Sequence, residues 1–148
     1  MIVENKAVVA KSTNGSKSIT TSALRFSVTA TGEDSIELNT MTFSNSFFNY
    51  NTAAAKIVVY KNSVSPANKL GETVAGTVTG AVTLSANNTV DEGITMNYIV
   101  VLEGVIASGA DPDWTVSLND INFDASVSTD VDVADYENLG DLPITETK

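Results

Sequence analysis

The chain contains no cysteine and no histidine. The first absence excludes a disulfide framework and a thiol nucleophile. Together the two exclude thiolate and imidazole ligands for zinc or haem, the Ser-His-Asp arrangement and an imidazole proton shuttle. Cations are few: Lys and Arg total 8 against 18 Asp and Glu, a formal net charge of −10. A surface of that sign repels the phosphates of nucleic acids and of anionic bilayers, so neither is an expected partner. Apolar runs are short, the longest being YIVVL at residues 98–102, far below the roughly 20 residues of a membrane-spanning helix. Membrane insertion is therefore not expected. Residues 1–4 (MIVE) show neither the basic start nor the apolar stretch of a secretory signal, so the chain reads as a mature or excised piece of a longer protein.

What is present is enough for one domain: 148 residues, 43% of them apolar. The charge is unevenly placed. Seven of the eight cations lie in residues 1–69 beside Glu4, Glu33, Asp34 and Glu37, which gives that part +3. Residues 70–147 hold fourteen acids and no cation, which gives −14. The asymmetry points to a cation site or to an oppositely charged neighbour, unless strands from both halves interleave and average it out in space.

Apolar and polar residues alternate with period two, the mark of strands with one buried face. In residues 23–30, Leu24, Phe26, Val28 and Ala30 alternate with Arg25, Ser27 and Thr29. In residues 36–43 the apolar parity changes near Thr40–Met41, which predicts a β-bulge there. Residues 56–61 (KIVVYK) read as a buried strand bracketed by lysines, and residues 94–104 as a central strand covered on both faces. Residues 114–123 alternate through Trp114, Val116 and Leu118 and then shift to Ile121 and Phe123, which predicts a kink near Asn119–Asp120. Turn residues separate these runs at Asn14-Gly15, Thr31 to Asp34, Asn87-Asn88, Asp91 to Gly93, Ser108 to Asp113 and Asn138 to Asp141. Residues 47–55 (FFNYNTAAA) suggest one helical turn. The pattern predicts an all-β, antiparallel β-sandwich of jelly-roll or immunoglobulin-like type. The single domain spans residues 1–148, with terminal strands in 1–11 and 126–148 that are peripheral or exchanged with a neighbour.

The segments LRFSVTATG (24–32), IELNTMTF (36–43), IVVY (57–60), TVDEGIT (89–95) and WTVSLNDINF (114–123) resemble β-sandwich modules of large secreted surface proteins, especially those of candidate-phyla-radiation bacteria. The likeness covers about residues 7–124 and is one of strands and turns. It implies an extracellular or cell-surface location and a structural or adhesive role, and it brings no catalytic residues.

Two residue sets are candidates for binding. The first is acidic: Asp111 and Asp113, then Asp120, Asn122 and Asp124, then Asp130, Asp132 and Asp135. Calcium takes about six to eight oxygen ligands, and carboxylates at i and i+2 of an extended segment point the same way. The Asp120-Asn122-Asp124 spacing is not an EF-hand, because Ala125 stands where the loop needs glycine. The competing assignment makes these acids the solvated face of alternating strands. The second set is Phe47, Phe48 and Tyr50, which with Asn49 and Asn51 has the composition of a sugar-binding loop. Without an acid pair in an evident cleft, glycoside hydrolysis is not expected. Residues 2–11 and 126–133 (SVSTDVDV) are candidate exchanged strands, able to complete a neighbour's sheet through main-chain hydrogen bonds. The expectation is a non-catalytic structural or adhesive module with no required cofactor, whose partner is itself, a neighbouring module or a glycan. The alternatives are a filament subunit joined by donor-strand exchange and a calcium-assisted carbohydrate-binding module.

Overall fold

β-Branched and aromatic residues at alternate positions put one face of each long strand into a shared core. In a computed structural model, residues 6–11, 24–31, 35–85, 88–104, 106–107, 113–125 and 144–147 are described. They form strands β1 (Lys6–Lys11), β2 (Leu24–Thr31), β3 (Ile36–Phe48), β4 (Tyr50–Asn51), β5 (Lys56–Lys61), β6 (Lys69–Glu72), β7 (Gly80–Thr83), β8 (Thr89–Val90), β9 (Thr95–Glu103), β10 (Ile106–Ala107), β11 (Asp113–Ala125) and β12 (Ile144–Thr147). A single 3-10 turn, Pro66–Asn68, joins β5 to β6. Two antiparallel sheets pack against each other as a β-sandwich. Sheet A has the order β1-β2-β9-β5-β6 and sheet B the order β12-β11-β3-β7, with β8 also on β3. The short pair β10-β4 stands apart.

β9 occupies the middle of sheet A, as the apolar residues on both its parities predict. Tyr98, Val100 and Leu102 enter the main core, while Ile99 and Val101 join Val58 and Tyr60 in a second apolar cluster on the other side of the sheet. β3 and β11 form the longest pairing, from Asp113 opposite Phe48 to Ala125 opposite Ile36. Each carries one extra residue. Asn119 is unpaired between Leu118 and Asp120, and Asn39 is unpaired between Leu38 and Thr40. These bulges account for both parity changes in the sequence: Leu118 and Ile121 are buried on either side of one, Leu38 and Met41 on either side of the other. The break in β3 thus falls one position earlier than Thr40–Met41.

Residues 47–55 make no helical turn. β3 runs on to Phe48, Asn49 adopts positive φ at 59° and Tyr50–Asn51 pairs with β10, so the aromatic run is spent on strand pairing. At the following turn, a Cβ at Gly104 (φ 76°) would collide with the carbonyl oxygen of Ala54. Glycine is needed there for both φ and space.

Polar groups tie the sheets together where no strand ladder does. The Tyr98 ring stacks on Phe26 with centroids 5.5 Å apart, and its hydroxyl donates to Asn88 Oδ1 at 3.3 Å. Asn88, fully buried, accepts from the Leu38 amide at 3.0 Å through its backbone carbonyl and donates from Nδ2 to the Leu38 carbonyl at 3.4 Å. This chain of bonds runs from the centre of sheet A to β3 of sheet B. At the far edge, the Ser85 amide donates to the Leu70 carbonyl at 2.7 Å, which links β6 to the residue pair just beyond β7. A Cβ at Gly71 would strike the Thr83 carbonyl there. Thr73 closes the same edge through two bonds with Ile57: its amide donates to the Ile57 carbonyl, and its hydroxyl oxygen accepts from the Ile57 amide, each at 2.9 Å.

A buried hydroxyl left without its acceptor loses its water hydrogen bonds and gains nothing in return. Asn88→Ala is therefore expected to lower unfolding free energy by about 1–3 kcal/mol, read from denaturant midpoints. Adding Tyr98→Phe to Asn88→Ala is expected to change stability less than Tyr98→Phe does in the native background.

Candidate functional surfaces

The β11 acids stand where strand alternation puts them. Ile121 and Phe123 are fully buried, so Asp120 and Asn122 face out, and Asp124 follows at the next position of that parity. Asn122 is exposed and accepts from Asn39 Nδ2 at 3.4 Å across the bulge pair, while Asn119 Nδ2 donates to Ser44 Oγ at 3.0 Å. Asp113 opens the strand seven positions before Asp120, roughly 23 Å away at the rise of an extended chain. Asp113 and the Asp120–Asp124 set therefore do not meet at one ion. Among the described residues, no group of three or more acidic side chains is placed to hold a metal. Asp111, Asp130, Asp132 and Asp135 lie outside the described residues, as does the segment 126–133.

The aromatic set divides. Phe47 and Tyr50 are partly buried against the main core and meet edge to face, with centroids 6.4 Å apart. Phe48, one position on from Phe47, points the other way and is 63% exposed. Of the three rings that the composition suggested, only Phe48 is exposed.

The outer side of sheet A holds a cluster that the sequence reading did not single out. Lys56 Nζ pairs with Glu72 Oε2 at 2.9 Å and with Glu103 Oε2 at 3.8 Å, and Lys69 Nζ pairs with Glu72 at 2.6 Å. The Tyr60 hydroxyl donates to Glu103 Oε1 at 3.0 Å. The Lys69 ammonium, and then Lys56, hold the Glu72 carboxyl below the usual carboxylate range. The hydrogen bond to Glu72 raises Lys56. Burial, with the Glu103 bond and charge adding to it, pushes the Tyr60 phenol up to about 12. Burial raises Tyr98 as well. The signal in the sequence is the parity of KIVVYK, which puts Lys56, Val58 and Tyr60 on one face. The partners Glu72 and Glu103 come from strands whose neighbour relations the sequence does not state.

The charge asymmetry survives folding. Among the described residues every cation lies on a strand of sheet A: Lys6, Lys11, Arg25, Lys56, Lys61 and Lys69, against Glu72 and Glu103. Sheet B strands hold Glu37, Asp113, Asp120, Asp124 and Glu146 and no cation. Strands from the two halves do interleave, but not so as to mix the charges. β3, from the first half, carries one acid into sheet B, and β9, from the second, carries only Glu103 into sheet A. The outer face of sheet B is hydroxyl and amide in between: Ser44, Ser46, Thr83, Asn119 and Asn122 are exposed, as is Glu37.

The Tyr60 phenol predicts an alkaline limit to stability. Its value in the fold lies above the ordinary value near 10, so the fold favours the neutral form. That stabilisation is complete below about pH 10 and is lost as pH rises toward about 12. Lys56, also raised, acts in the same direction. Tyr60→Phe is expected to show a smaller drop in denaturant midpoint between about pH 9 and pH 11.5 than the native chain.

Comparison of the chain with protein-family models, with curated proteins and with solved structures gives no match.

Proposed function

We propose that this chain is a non-catalytic structural or adhesive β-sandwich module of a bacterial cell-surface or secreted protein. One observation carries the reading: the path of the chain through the sandwich. β1 starts beside Thr31, at the end of the sandwich where β3 begins with Ile36. β12 finishes beside Thr115, toward the opposite end, where Ser46 and Phe48 lie. A pull along the chain then draws β1 and β12 lengthwise against β2 and β11. The ladder bonds in each pair share that load together instead of opening one at a time. The apolar core shared by the two sheets and the hydroxyl-rich outer face of sheet B suit the same role, as does the resemblance to secreted surface modules.

Filament assembly by donor-strand exchange is the second reading, favoured by a separate observation. The terminal strands β1 and β12 are edge strands of different sheets, so among the described residues each of these sheets ends in a strand with no further strand beside it. The third reading, a calcium-assisted carbohydrate-binding module, draws on the outward Asp120 and Asn122 and on exposed Phe48.

Force spectroscopy tests the proposal, and the absence of native cysteine lets attachment points be placed freely. Pulling from cysteines at positions 6 and 147 is expected to need more force than pulling from positions 6 and 31, which peels β1 from β2 one bond at a time. Equal forces would overturn the load-bearing reading. A melting temperature that rises with millimolar calcium over chelator, with glycan binding lost in Phe48→Ser, would establish the third reading in its place.

A further inference from the structure

Among the described residues, the large apolar side chains that stand exposed are Phe48 (63%), Val64 (45%), Val74 (78%) and Ile94 (48%). Each lies in a loop or at a strand terminus. Val64 follows β5 and Ile94 precedes β9, at the end of the sandwich where β1 starts: the Asn62 amide donates to the Asn97 carbonyl at 2.9 Å, and the Ala30 amide to the Ile94 carbonyl at 3.2 Å. This is the entry end. Phe48 and Val74 stand at the opposite end, toward which β12 runs. There the Gly76 amide donates to the Ala55 carbonyl at 2.7 Å and Asn45 Nδ2 donates to the Val78 carbonyl, which ties the turn at 73–80 to the end of β3 and the run that follows it. This is the exit end. Residues 47–55, 62–68 and 73–80 contain no Asp, Glu, Lys or Arg, in a chain with 18% charged residues. Of the loops that carry these side chains, only the turn before Ile94 has charge, with Asp91 and Glu92 exposed beside it. Single exposed apolar side chains are ordinary on a protein surface, whereas apolar side chains gathered in uncharged loops mark a contact.

We propose that copies of this chain meet end to end, the exit end of one seated on the entry end of the next, with Phe48 and Val74 against Val64 and Ile94. This rests on the structural reading and names the surfaces through which neighbouring modules touch. The occupant is a second copy because the two apolar pairs stand at opposite poles, so one orientation covers both pairs in every inner copy of a line. Pairing like ends does not. Two entry ends would bring Asp91 and Glu92 of both copies together, and two exit ends would leave Val64 and Ile94 in water. The chain path agrees. The bond between Leu70 and Ser85 joins the β6 edge to the β7 edge, so β1 and β12 both lie along the other side of the sandwich. In an end-to-end line, the finish of β12 in one copy therefore comes to the start of β1 in the next. The two surfaces differ, so the contact is heterologous and repeats as an open line. With two large apolar residues from each copy it is small and belongs to the weak, reversible class. Charge does not drive it, so salt that screens charges leaves it in place.

Disulfide trapping tests this, since the chain has no cysteine of its own. Ala75→Cys puts a thiol beside Val74 at the exit end, and Ala67→Cys puts one in the Val64 loop at the entry end; both alanines are exposed. The two full-length variants, one isotope-labelled so that the three dimers differ in mass, are mixed in equal amounts and oxidised at about 500 mM salt, where surface charge is screened. Random collision would make the 67–75 dimer equal to the 67–67 and 75–75 dimers combined. The expected result is a 67–75 yield well above their sum. Val74→Asp added to the Ala75→Cys chain, or Ile94→Asp added to the Ala67→Cys chain, is expected to bring it down to the random share. Both positions are exposed, and each variant is checked for a native circular dichroism spectrum. Three results would overturn the end-to-end contact: a 67–75 yield no greater than random, an excess of 75–75 dimers, or a 67–75 excess that survives both aspartate substitutions. None of them bears on the force needed to pull positions 6 and 147 apart, so the structural reading stands or falls separately.

Discussion

One apolar core is shared by both sheets, and every long strand must keep its inward residues in an unbroken row to reach it. In β2 and β5 simple alternation meets that condition. β3 and β11 are thirteen residues each, and regular alternation along their sequences would turn half of their apolar residues to water. Asn39 and Asn119 absorb the conflict. Each is one residue too many for the ladder, and each resets parity, so that Ile36, Leu38, Met41 and Phe43 on one strand and Val116, Leu118, Ile121 and Phe123 on the other all enter the core. The outward polar face of sheet B is a consequence of the same setting, since the positions left over are Ser, Thr, Asn and acid.

Inward alternation decides which residues are outward, and the distribution of strands between sheets decides where their charges go. β1, β2, β5 and β6 bring cations to sheet A, and β3 and β11 bring acids alone to sheet B. On sheet A, Lys56 and Lys69 pair with Glu72 and Glu103, and on sheet B the acids are distributed along β3, β11 and β12. The described strands β1 and β12 start and finish at opposite ends of the sandwich.

Much of the fold is legible in the sequence because period-two alternation is a local signal. The β-sandwich class, the buried KIVVYK strand, the central position of residues 94–104 and the irregularity at Asn119 all follow from residues within a few positions of one another. The bulge in β3 was displaced by one residue because Asn39 and Thr40 are both polar, and parity alone does not say which is extra. The aromatic run at residues 47–55 misled because its composition suits a turn or a sugar site. Phe47 and Tyr50 instead close the core, a role that depends on β10 pairing with β4 from over fifty residues away. The Lys56-Glu72-Glu103-Tyr60 cluster was invisible for the same reason: its members meet only through strand order. Nor does the charge profile along the chain say whether folding mixes or separates the two signs, because that too is set by which strands share a sheet.

The bulge residues set the register of β3 and β11, and single-residue deletions address this directly. Removing Asn119 leaves Leu118 and Asp120 adjacent, opposite Phe43 and Thr42, and keeps Ile121 and Phe123 facing the core. Removing Asn122 instead turns Phe123 outward, a loss on the order of 3–5 kcal/mol. Chemical denaturation followed by circular dichroism is predicted to show a cooperative transition for the Asn119 deletion and none, or one at far lower denaturant, for the Asn122 deletion. Equal transitions for the two deletions, or the opposite order, would contradict it.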